Sequence, residues 1–324
     1  MRKICLLILL LLIFISSAKS QGLFIKEYHN YKIDTAIDVA ILYKSNFYCL
    51  KSNHEILVIN SKTNRIDSTY KDNSRDIKIL NLYLHHDTLV GLNRSNTYYL
   101  NTLTNQWTFI RKGSFIPPTY EDDNFIITST CSGEWGGSLY FRDKRTSKLY
   151  ECQSTCTVNI IKTDNKYSIT ASLSHLSGSV NIFEIEDPLK LKVYNRDYLQ
   201  KKRDAAKKKH QLYVGIIGDD ESNSKQGTIQ LIDSIGIISP ISFKYGSQIY
   251  YIVEKYKNVT IDIIQDKKLV PVDDLTSLNI WSDYPESRTC NDRQIFSFKN
   301  DKSTGFVFID KNKLTFYSFD LKPN

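Results

Sequence analysis

Short apolar runs alternate with polar turns along nearly the whole chain after residue 20. The runs are rich in aromatic and β-branched residues, and the chain contains 21 Tyr and 15 Phe among its 324 residues. Residues of these types favour strands, whereas the Asn, Asp, Ser and Gly between the runs favour turns. The pattern therefore predicts an all-β protein built from many short strands.

One turn sequence recurs at a nearly constant interval. The segments NSKTNRI (60–66), NTLTNQW (101–107) and DKRTSKL (143–149) each begin with Asn or Asp, have Thr three positions later and end in a large apolar residue. Each segment follows one apolar run and precedes another, so each is predicted to be a hairpin turn. A repeat of roughly forty residues is typical of an array of small, similar sheets.

A second series of apolar runs keeps this interval, one strand earlier in each repeat. Its seven members cover residues 46–51, 87–93, 124–130, 166–172, 210–217, 247–254 and 293–300. Three or four strands in each repeat predict a β-propeller, with residues 21–324 as a single domain. We predict seven blades, with six blades and an irregular insertion as the alternative. A double β-sandwich is the competing fold, but it does not predict a constant spacing of one turn sequence.

The fifth repeat is irregular. The charged segment RDYLQKKRDAAKKKH (196–210) stands where an innermost strand is expected, so we predict an insertion at about 196–210. The run GTIQLIDS (227–234) is predicted to be the outer strand of the fifth blade. The preceding segment SVNIFEIEDPLKLKVY (179–194) is predicted to be a hairpin of the fourth blade that turns at Asp187 and Pro188.

The first twenty residues read as a secretory signal peptide. Arg2 and Lys3 precede an apolar run over 5–16, and Ala18 and Ser20 occupy the small-residue positions before a cleavage site. We therefore predict an exported, periplasmic or extracellular protein; an uncleaved membrane anchor is the alternative. No later run is apolar over the length that a transmembrane helix needs, so we predict no transmembrane segment.

The charge balance does not indicate a nucleic-acid partner. The formal charge of +8 falls to +5 when residues 1–20 are removed, because Arg2, Lys3 and Lys19 lie there. The only dense basic cluster is the segment 201–210. A nucleic-acid-binding surface would need a broader basic face.

The turn CSGEWGG (131–137) is the most unusual stretch of the chain, since it places a carboxylate and an indole among three glycines. In a propeller, the turns between the second and third strands of all blades emerge on one face. The repeat therefore predicts one shared rim, which we interpret as a binding surface. The predicted rim residues are Trp135, Glu134, His54, Arg94, His175 and Asp219.

Five cysteines remain after residue 20, and an odd number leaves at least one of them without an intramolecular partner. Cys152 and Cys156 are close enough in sequence to form a disulfide if the loop bends tightly, and Cys131 is a rival partner. No Cys and His spacing matches a zinc site, and GDDES (218–222) lacks the ligand series of a calcium loop. The sequence predicts no metal and no cofactor.

Four longer segments carry a resemblance to known proteins. The segments TCSGEWGGSLYFRDKRTSKLYECQSTC (130–156) and YSITASLSHLSGS (167–179) resemble those of a group of exported bacterial propeller-like proteins. NIWSDYPESRT (279–289) and GFVFIDKNKLTFYSF (305–319) are similar to the end of the same group. The resemblance implies a propeller fold and an exported location. It implies no reaction, because no activity is assigned to that group.

The sequence lacks the motifs that are typical of common enzyme classes. It has no metalloprotease, nucleophile-elbow, phosphate-loop or dinucleotide motif. We therefore predict a non-catalytic module that binds a protein or a glycan through the rim. The alternative is an extracellular polysaccharide hydrolase or lyase, in which two of the carboxylates Asp122, Asp123, Glu134 and Asp219 act as acid and base.

Overall fold

The computed structural model describes residues 22–113, 117–164, 166–195, 204, 208, 221–275, 286–290, 292–299 and 303–321. These residues form six small sheets, which are the blades of a β-propeller. Blade 1 consists of β2 (Ile37–Tyr43), β3 (Asn46–Lys51), β4 (Ile56–Asn60) and β5 (Arg65–Ile66). Blade 2 consists of β6 (Asn81–His85), β7 (Thr88–Leu92), β8 (Asn96–Asn101) and β9 (Gln106–Lys112).

The next two blades flank the irregular segment. Blade 3 consists of β10 (Tyr120–Glu121), β11 (Phe125–Ser129), β12 (Ser138–Asp143), β13 (Leu149–Gln153) and, at its outer edge, β17 (Lys192–Val193). Blade 4 consists of β14 (Thr157–Thr163), β15 (Lys166–Leu173), β16 (Ser179–Ile185) and β18 (Ile229–Ile235).

The last two blades complete the ring. Blade 5 consists of β19 (Ile238–Tyr245), β20 (Gln248–Lys255), β21 (Asn258–Gln265) and β22 (Lys268–Asp274). Blade 6 consists of β23 (Glu286–Cys290), β24 (Arg293–Lys299), β25 (Ser303–Asp310), β26 (Lys313–Leu321) and the N-terminal strand β1 (Ile25–Ile33). Among the described residues, short helical elements include α1 (Ser74–Ile77) and the 3-10 turns Gly133–Trp135 and Pro188–Lys190.

The prediction of an all-β propeller is confirmed, but the count of seven blades is wrong and the six-bladed alternative is correct. Six of the seven predicted runs are the second strands of the six blades. The remaining run, 210–217, lies outside the described residues. The run 227–234 does not belong to a further blade, because β18 pairs with β16 and completes blade 4. The chain therefore leaves blade 4 after its third strand and returns to it.

The predicted hairpin over 179–194 is also wrong. Asp187 caps the 3-10 turn that begins at Pro188, accepting a hydrogen bond of 2.9 Å from the backbone N–H of Leu189. This turn directs the chain to the neighbouring blade, where β17 pairs with β13. A proline cannot donate a ladder hydrogen bond, which favours an end to strand pairing at this point.

The recurring turn sequence has a common physical cause. The three segments connect the third and fourth strands of blades 1, 2 and 3. In blade 3, Asp143 accepts hydrogen bonds from the backbone N–H groups of Arg145 and Thr146 and from the Thr146 hydroxyl. Asn60 accepts the equivalent three bonds in blade 1. Side-chain acceptors of this kind stabilise a turn locally. The turn sequence therefore recurs because each turn needs an Asn or Asp acceptor at its start and a Thr donor three residues later.

Apolar side chains pack between neighbouring blades. Between blades 6 and 1, the buried rings of Phe47, Phe306 and Tyr317 lie together, and the last two stack with centroids 4.5 Å apart. Similar clusters join blades 1 and 2, 3 and 4, 4 and 5, and 5 and 6. Burial of each such ring contributes about 2 kcal/mol to folding. The stacking of one sheet on the next therefore forms the core.

Blade 6 joins both ends of the described chain. Its sheet is antiparallel from β23 to β26, whereas β1 pairs with β26 in parallel, from Ile25 beside Lys313 to Ile33 beside Leu321. The N-terminal strand thereby covers the edge that β26 would otherwise expose.

The antiparallel order of strands assigns each loop to one of two faces. Turns between second and third strands and connections between blades emerge on one face, which we call the upper face. The other turns emerge on the lower face. No helix within the described ranges is long and apolar enough to cross a membrane. Residues 1–20, the predicted signal peptide, and most of 196–210, the predicted insertion, lie outside those ranges.

Candidate binding site

The turn over 131–137 is shaped by its glycines. Gly133 and Gly136 have positive φ angles of 62° and 110°, a region that glycine enters without steric cost. A Cβ atom on Gly137 would lie 2.6 Å from the carbonyl oxygens of Ser154 and Thr130, so only glycine fits there. The turn therefore lies directly on the backbone of its neighbours and holds Trp135 with 54% of its surface exposed.

A disulfide fixes the start of this turn. Cys131 is bonded to Cys156 in the connection that leads into blade 4. The sequence left open whether Cys152 or Cys131 pairs with Cys156, and the structure contains the pair with Cys131. Cys152 has a free thiol, which is buried in the core between blades 3 and 4. Burial raises the pKa of Cys152 to about 12. Its side chain points into the core because it alternates along β13 with the half-buried Gln153.

A cluster of three hydroxyl groups, of which only that of Ser138 belongs to a buried residue, supports the turn from the other side. The Glu221 carboxylate accepts hydrogen bonds from the hydroxyls of Thr130 at 2.5 Å, Ser132 at 2.7 Å and Ser138 at 2.5 Å. The Ser138 hydroxyl also accepts a bond from the backbone N–H of Ser222. Hydrogen bonds to a carboxylate are stronger than those between neutral groups. Glu221 thus anchors the chain returning to blade 4 on the Trp135-bearing turn.

Two of the predicted rim residues meet across the junction of blades 3 and 4. His175 Nδ1 in the turn between β15 and β16 lies 3.6 Å from Glu134 Oε2. Both side chains are about half exposed, so solvent screens the pair and its contribution to stability is small. The arrangement instead presents an imidazole and a carboxylate side by side on the upper face.

These residues form the mouth of a cleft of about 380 Å³ between blades 3 and 4. Apolar atoms make up the larger part of the surface of the cleft, although most of its lining residues are polar. Its lining includes Gln153, Ser154, Leu173, Leu176, Asn181, Phe183, Lys225, Gln230, Asp233 and Ile235. The Gln230 amide donates to the carbonyl oxygens of Ile182 and Ile232, so it is held in one orientation. Concave sites with this mixture of groups are typical of ligand binding.

The other predicted rim residues lie elsewhere. His54 is on blade 1, and its Nδ1–H donates to the carbonyl oxygen of Ile79 at 2.9 Å, so its ring joins two backbone segments. Arg94 is exposed in the corresponding turn of blade 2. Asp219 lies outside the described residues. The structure therefore brings together Glu134, Trp135 and His175 on adjacent blades and leaves the cleft without His54 and Arg94.

The carboxylates considered for catalysis do not all share a face. Asp122 lies in the turn between β10 and β11 on the lower face, and Glu134 lies beyond the other end of β11. Five strand residues separate these turns by about 16 Å, which exceeds the separation of an acid and base pair in glycosidases. Burial opposes ionisation of Asp122, but hydrogen bonds from Lys162 at 2.6 Å and Tyr167 at 2.5 Å prevail and lower its pKa to about 2.

Sequence reasoning missed several residues of the site. Leu176 adjoins His175 in the same turn, so the repeat that found His175 could have found it. Glu221 follows the predicted rim residue Asp219 by two positions, so the same turn could have pointed to it. Gln230, Asp233 and Ile235 could not be found in this way, because β18 returns to blade 4 from a distant part of the sequence. Within the described ranges, no group of three or more His, Cys, Asp or Glu residues is arranged to hold a metal ion.

Comparisons with known proteins identify no family for this chain. No protein-family model matches it, and no curated protein matches it. Among solved structures, it is similar to the computationally designed Ika8 protein, with 11% identity, coverage of 90% of this chain and 89% of the other, and a TM-score of 0.37.

Two natural proteins are similar at the same level. BamB from Moraxella catarrhalis has 9% identity, coverage of 82% and 80%, and a TM-score of 0.36. The WD40 domain of SCAP from fission yeast has 11% identity, coverage of 85% and 66%, and a TM-score of 0.33. Similarities of this size carry no inference about what this chain binds.

Proposed function

We propose that this protein is a non-catalytic binding propeller, which engages a protein or a glycan through the cleft between blades 3 and 4. The observation that carries the proposal is the mouth of this cleft, where the half-exposed pair His175 and Glu134 spans two blades. Trp135 is exposed in the same turn as Glu134. Exposed Trp side chains are favoured anchors of binding interfaces.

The rigidity of the surroundings supports this role. The disulfide between Cys131 and Cys156 and the Glu221 carboxylate hold the Trp135 turn from two sides. A surface that is ordered before binding loses less conformational entropy when a ligand arrives.

We also propose that the protein works outside the cytoplasm, with residues 1–20 removed on export. The support is the sequence of that segment, with its basic start, apolar run and small residues before the cut. N-terminal sequencing of the protein recovered from the periplasmic or culture fraction should begin at Gln21. Recovery of the intact chain from the cytoplasm would contradict the proposal.

The binding role is tested with the folded protein on an array of immobilised glycans and on a phage-displayed library of random peptides. A ligand of the cleft should lose about tenfold or more in affinity when Trp135 is replaced by Ala, as expected of a central aromatic anchor. Phe109→Ala is the matched control, since Phe109 is 52% exposed on a strand of blade 2. Equal losses in both variants, or no binding on either surface, would contradict the proposal.

A further inference from the structure

We infer that the ligand of this cleft is an extended peptide of a protein partner, in which a large apolar side chain is accompanied by an acidic residue. This inference rests on the proposed function and adds the class of ligand. It is carried by an exposed apolar surface that continues from the cleft onto blade 5, together with the backbone conformation of two residues on it.

Three of the most exposed apolar side chains of the described chain lie on adjoining segments of the upper face. Leu176 and Ile235 are each 80% exposed and line the cleft, and Tyr256 is 79% exposed in the turn between β20 and β21. The backbone N–H of Gly236 donates to the carbonyl of Gly178 at 3.0 Å, which joins the Leu176 turn to the end of β18. The Tyr256 hydroxyl lies 3.9 Å from the position of a Cβ atom on Gly236. We call Leu176, Ile235 and Tyr256 the apolar ridge.

Two residues of the apolar ridge have a backbone conformation that large side chains rarely adopt. Leu176 and Tyr256 have positive φ angles of 56° and 50°. Large side chains are uncommon in that conformation, whereas Asn and Gly adopt it at lower cost. Among the non-glycine residues with positive φ in the described ranges, only Leu176 and Tyr256 carry a large apolar side chain. The two-residue turn between β20 and β21 imposes the positive φ on Tyr256, as it does on Lys257 at 69°, but it does not require a large apolar side chain there. Exposed apolar residues kept in a costly conformation point to a role outside the fold.

The shape of the surface favours a peptide as the occupant. The apolar ridge borders a concave cleft of about 380 Å³ with Leu173 in its wall, and such a cleft accepts a side chain that projects from the partner. A lipid bilayer presents no projecting side chain to a concavity. The ridge is also largely aliphatic on its cleft side, whereas sugar rings are usually bound by stacking on aromatic side chains.

The charges around the ridge indicate an acidic residue in the peptide. Lys255 and Lys257 flank Tyr256 and are exposed, and Lys255 Nζ lies 5.8 Å from the centre of the Tyr256 ring. Both acidic residues of the cleft already have a side-chain partner, because Glu134 lies 3.6 Å from the His175 imidazole and Asp233 lies 4.0 Å from the Lys225 ammonium. The blade 5 end of the ridge therefore complements a negative charge.

The ridge can be altered without harm to the fold. Leu176→Asn places a residue that tolerates positive φ in the turn, and replacing Tyr256 and Lys257 by Asn and Gly gives the pair that two-residue hairpins prefer. Both variants should unfold at or above the temperature of the parent protein. Leu103→Asn is the matched control, since Leu103 is 94% exposed in a lower-face turn of blade 2.

The test uses the full-length folded protein and a phage library of random peptides of about twelve residues. Selected peptides should share a large apolar residue and a nearby Asp or Glu. Their affinity should fall about tenfold or more in the two ridge variants and stay unchanged in Leu103→Asn. Selection on a Lys255→Glu variant should replace the acidic residue by Lys or Arg, which a general loss of structure would not produce.

The opposite results are equally definite. Selected peptides without a shared acidic residue, or with unchanged affinity for the ridge variants, would overturn the inference. So would binding to vesicles of phosphatidylcholine and phosphatidylserine in the absence of any selected peptide. A glycan bound in a Trp135-dependent manner, with no peptide selected, would overturn this inference and leave the proposed binding function intact.

Discussion

The disulfide between Cys131 and Cys156 connects the turn that carries Trp135 to the first residues of blade 4. The two walls of the cleft are therefore joined covalently as well as through the core between their blades. The two cysteines are 25 residues apart in sequence, and the loop that their bond closes contains β12 and β13, the third and fourth strands of blade 3.

Replacing both cysteines by Ala should lower the free energy of unfolding by about 3 kcal/mol, because the unfolded chain regains the entropy that a loop of this length removes. Urea unfolding of the parent and the variant measures the difference. Adding a reductant should destabilise the parent to the same extent and leave the variant unchanged. Peptide mapping without reduction should recover residues 131 and 156 in one linked fragment. A fragment linked through Cys152 would show that the pairing is wrong.

Asp122 should stabilise the protein in a pH-dependent way. Its folded-state pKa of about 2 lies below the ordinary value of 3.8, so its contribution is complete above about pH 4 and is lost as the pH falls towards 2. Asp122→Asn keeps an acceptor for the turn but loses the carboxylate bonds to Lys162 and Tyr167. It should therefore cost about 2 kcal/mol at neutral pH. Urea unfolding of both proteins at several pH values measures the difference in their unfolding free energies, which should shrink as the pH falls towards 2.

The neighbouring Asp123→Asn is the control for that measurement, since Asp123 is exposed in the same turn. It should change the unfolding free energy by only a few tenths of a kcal/mol, as exposed surface charges do. A difference between parent and Asp122→Asn that stayed constant from neutral pH to about pH 2 would contradict the role of the carboxylate.

Glu221→Ala should destabilise the protein by about 1 to 3 kcal/mol, because the buried Ser138 hydroxyl loses its acceptor and two further hydroxyls lose theirs. Glu221→Gln retains one carbonyl oxygen and should cost less. Glu186→Ala removes an exposed carboxylate at the end of β16 and serves as the control. Chemical unfolding in urea compares the four proteins. A Glu221→Ala protein as stable as the Glu186→Ala protein would show that the cluster does not hold the turn.

Much of the architecture could be predicted from the sequence because its causes are local. The hairpin turns that begin at Asn60 and Asp143 are specified by their own hydrogen bonds, so a short pattern identified them at each repeat. The same repeat placed Glu134 and His175 on one face, because alternate antiparallel strands return the chain to the same side.

The errors arose where pairing depends on contacts that are distant in sequence. The pairing of β18 with β16 spans the insertion, and nothing in either strand specifies the partner, so the outer strand of blade 4 was assigned to a further blade. The apolar ridge was missed for a related reason. Leu176 and Tyr256 lie in turns that the repeat predicts, but only the structure brings these turns near Ile235 at the end of β18 and shows that all three side chains are exposed.

The parallel pairing of β1 with β26 has a mechanical consequence. If the chain is pulled from the N-terminal end of β1 and the C-terminal end of β26, the force runs along the two strands in opposite directions. All nine residue pairs between them then bear the load together. An antiparallel closing strand would place the two attachment points at the same end, and its pairs would separate one after another. The parallel pairing of β1 with β26 therefore resists a pulling force applied through the ends of these two strands, because the force loads their hydrogen bonds in shear.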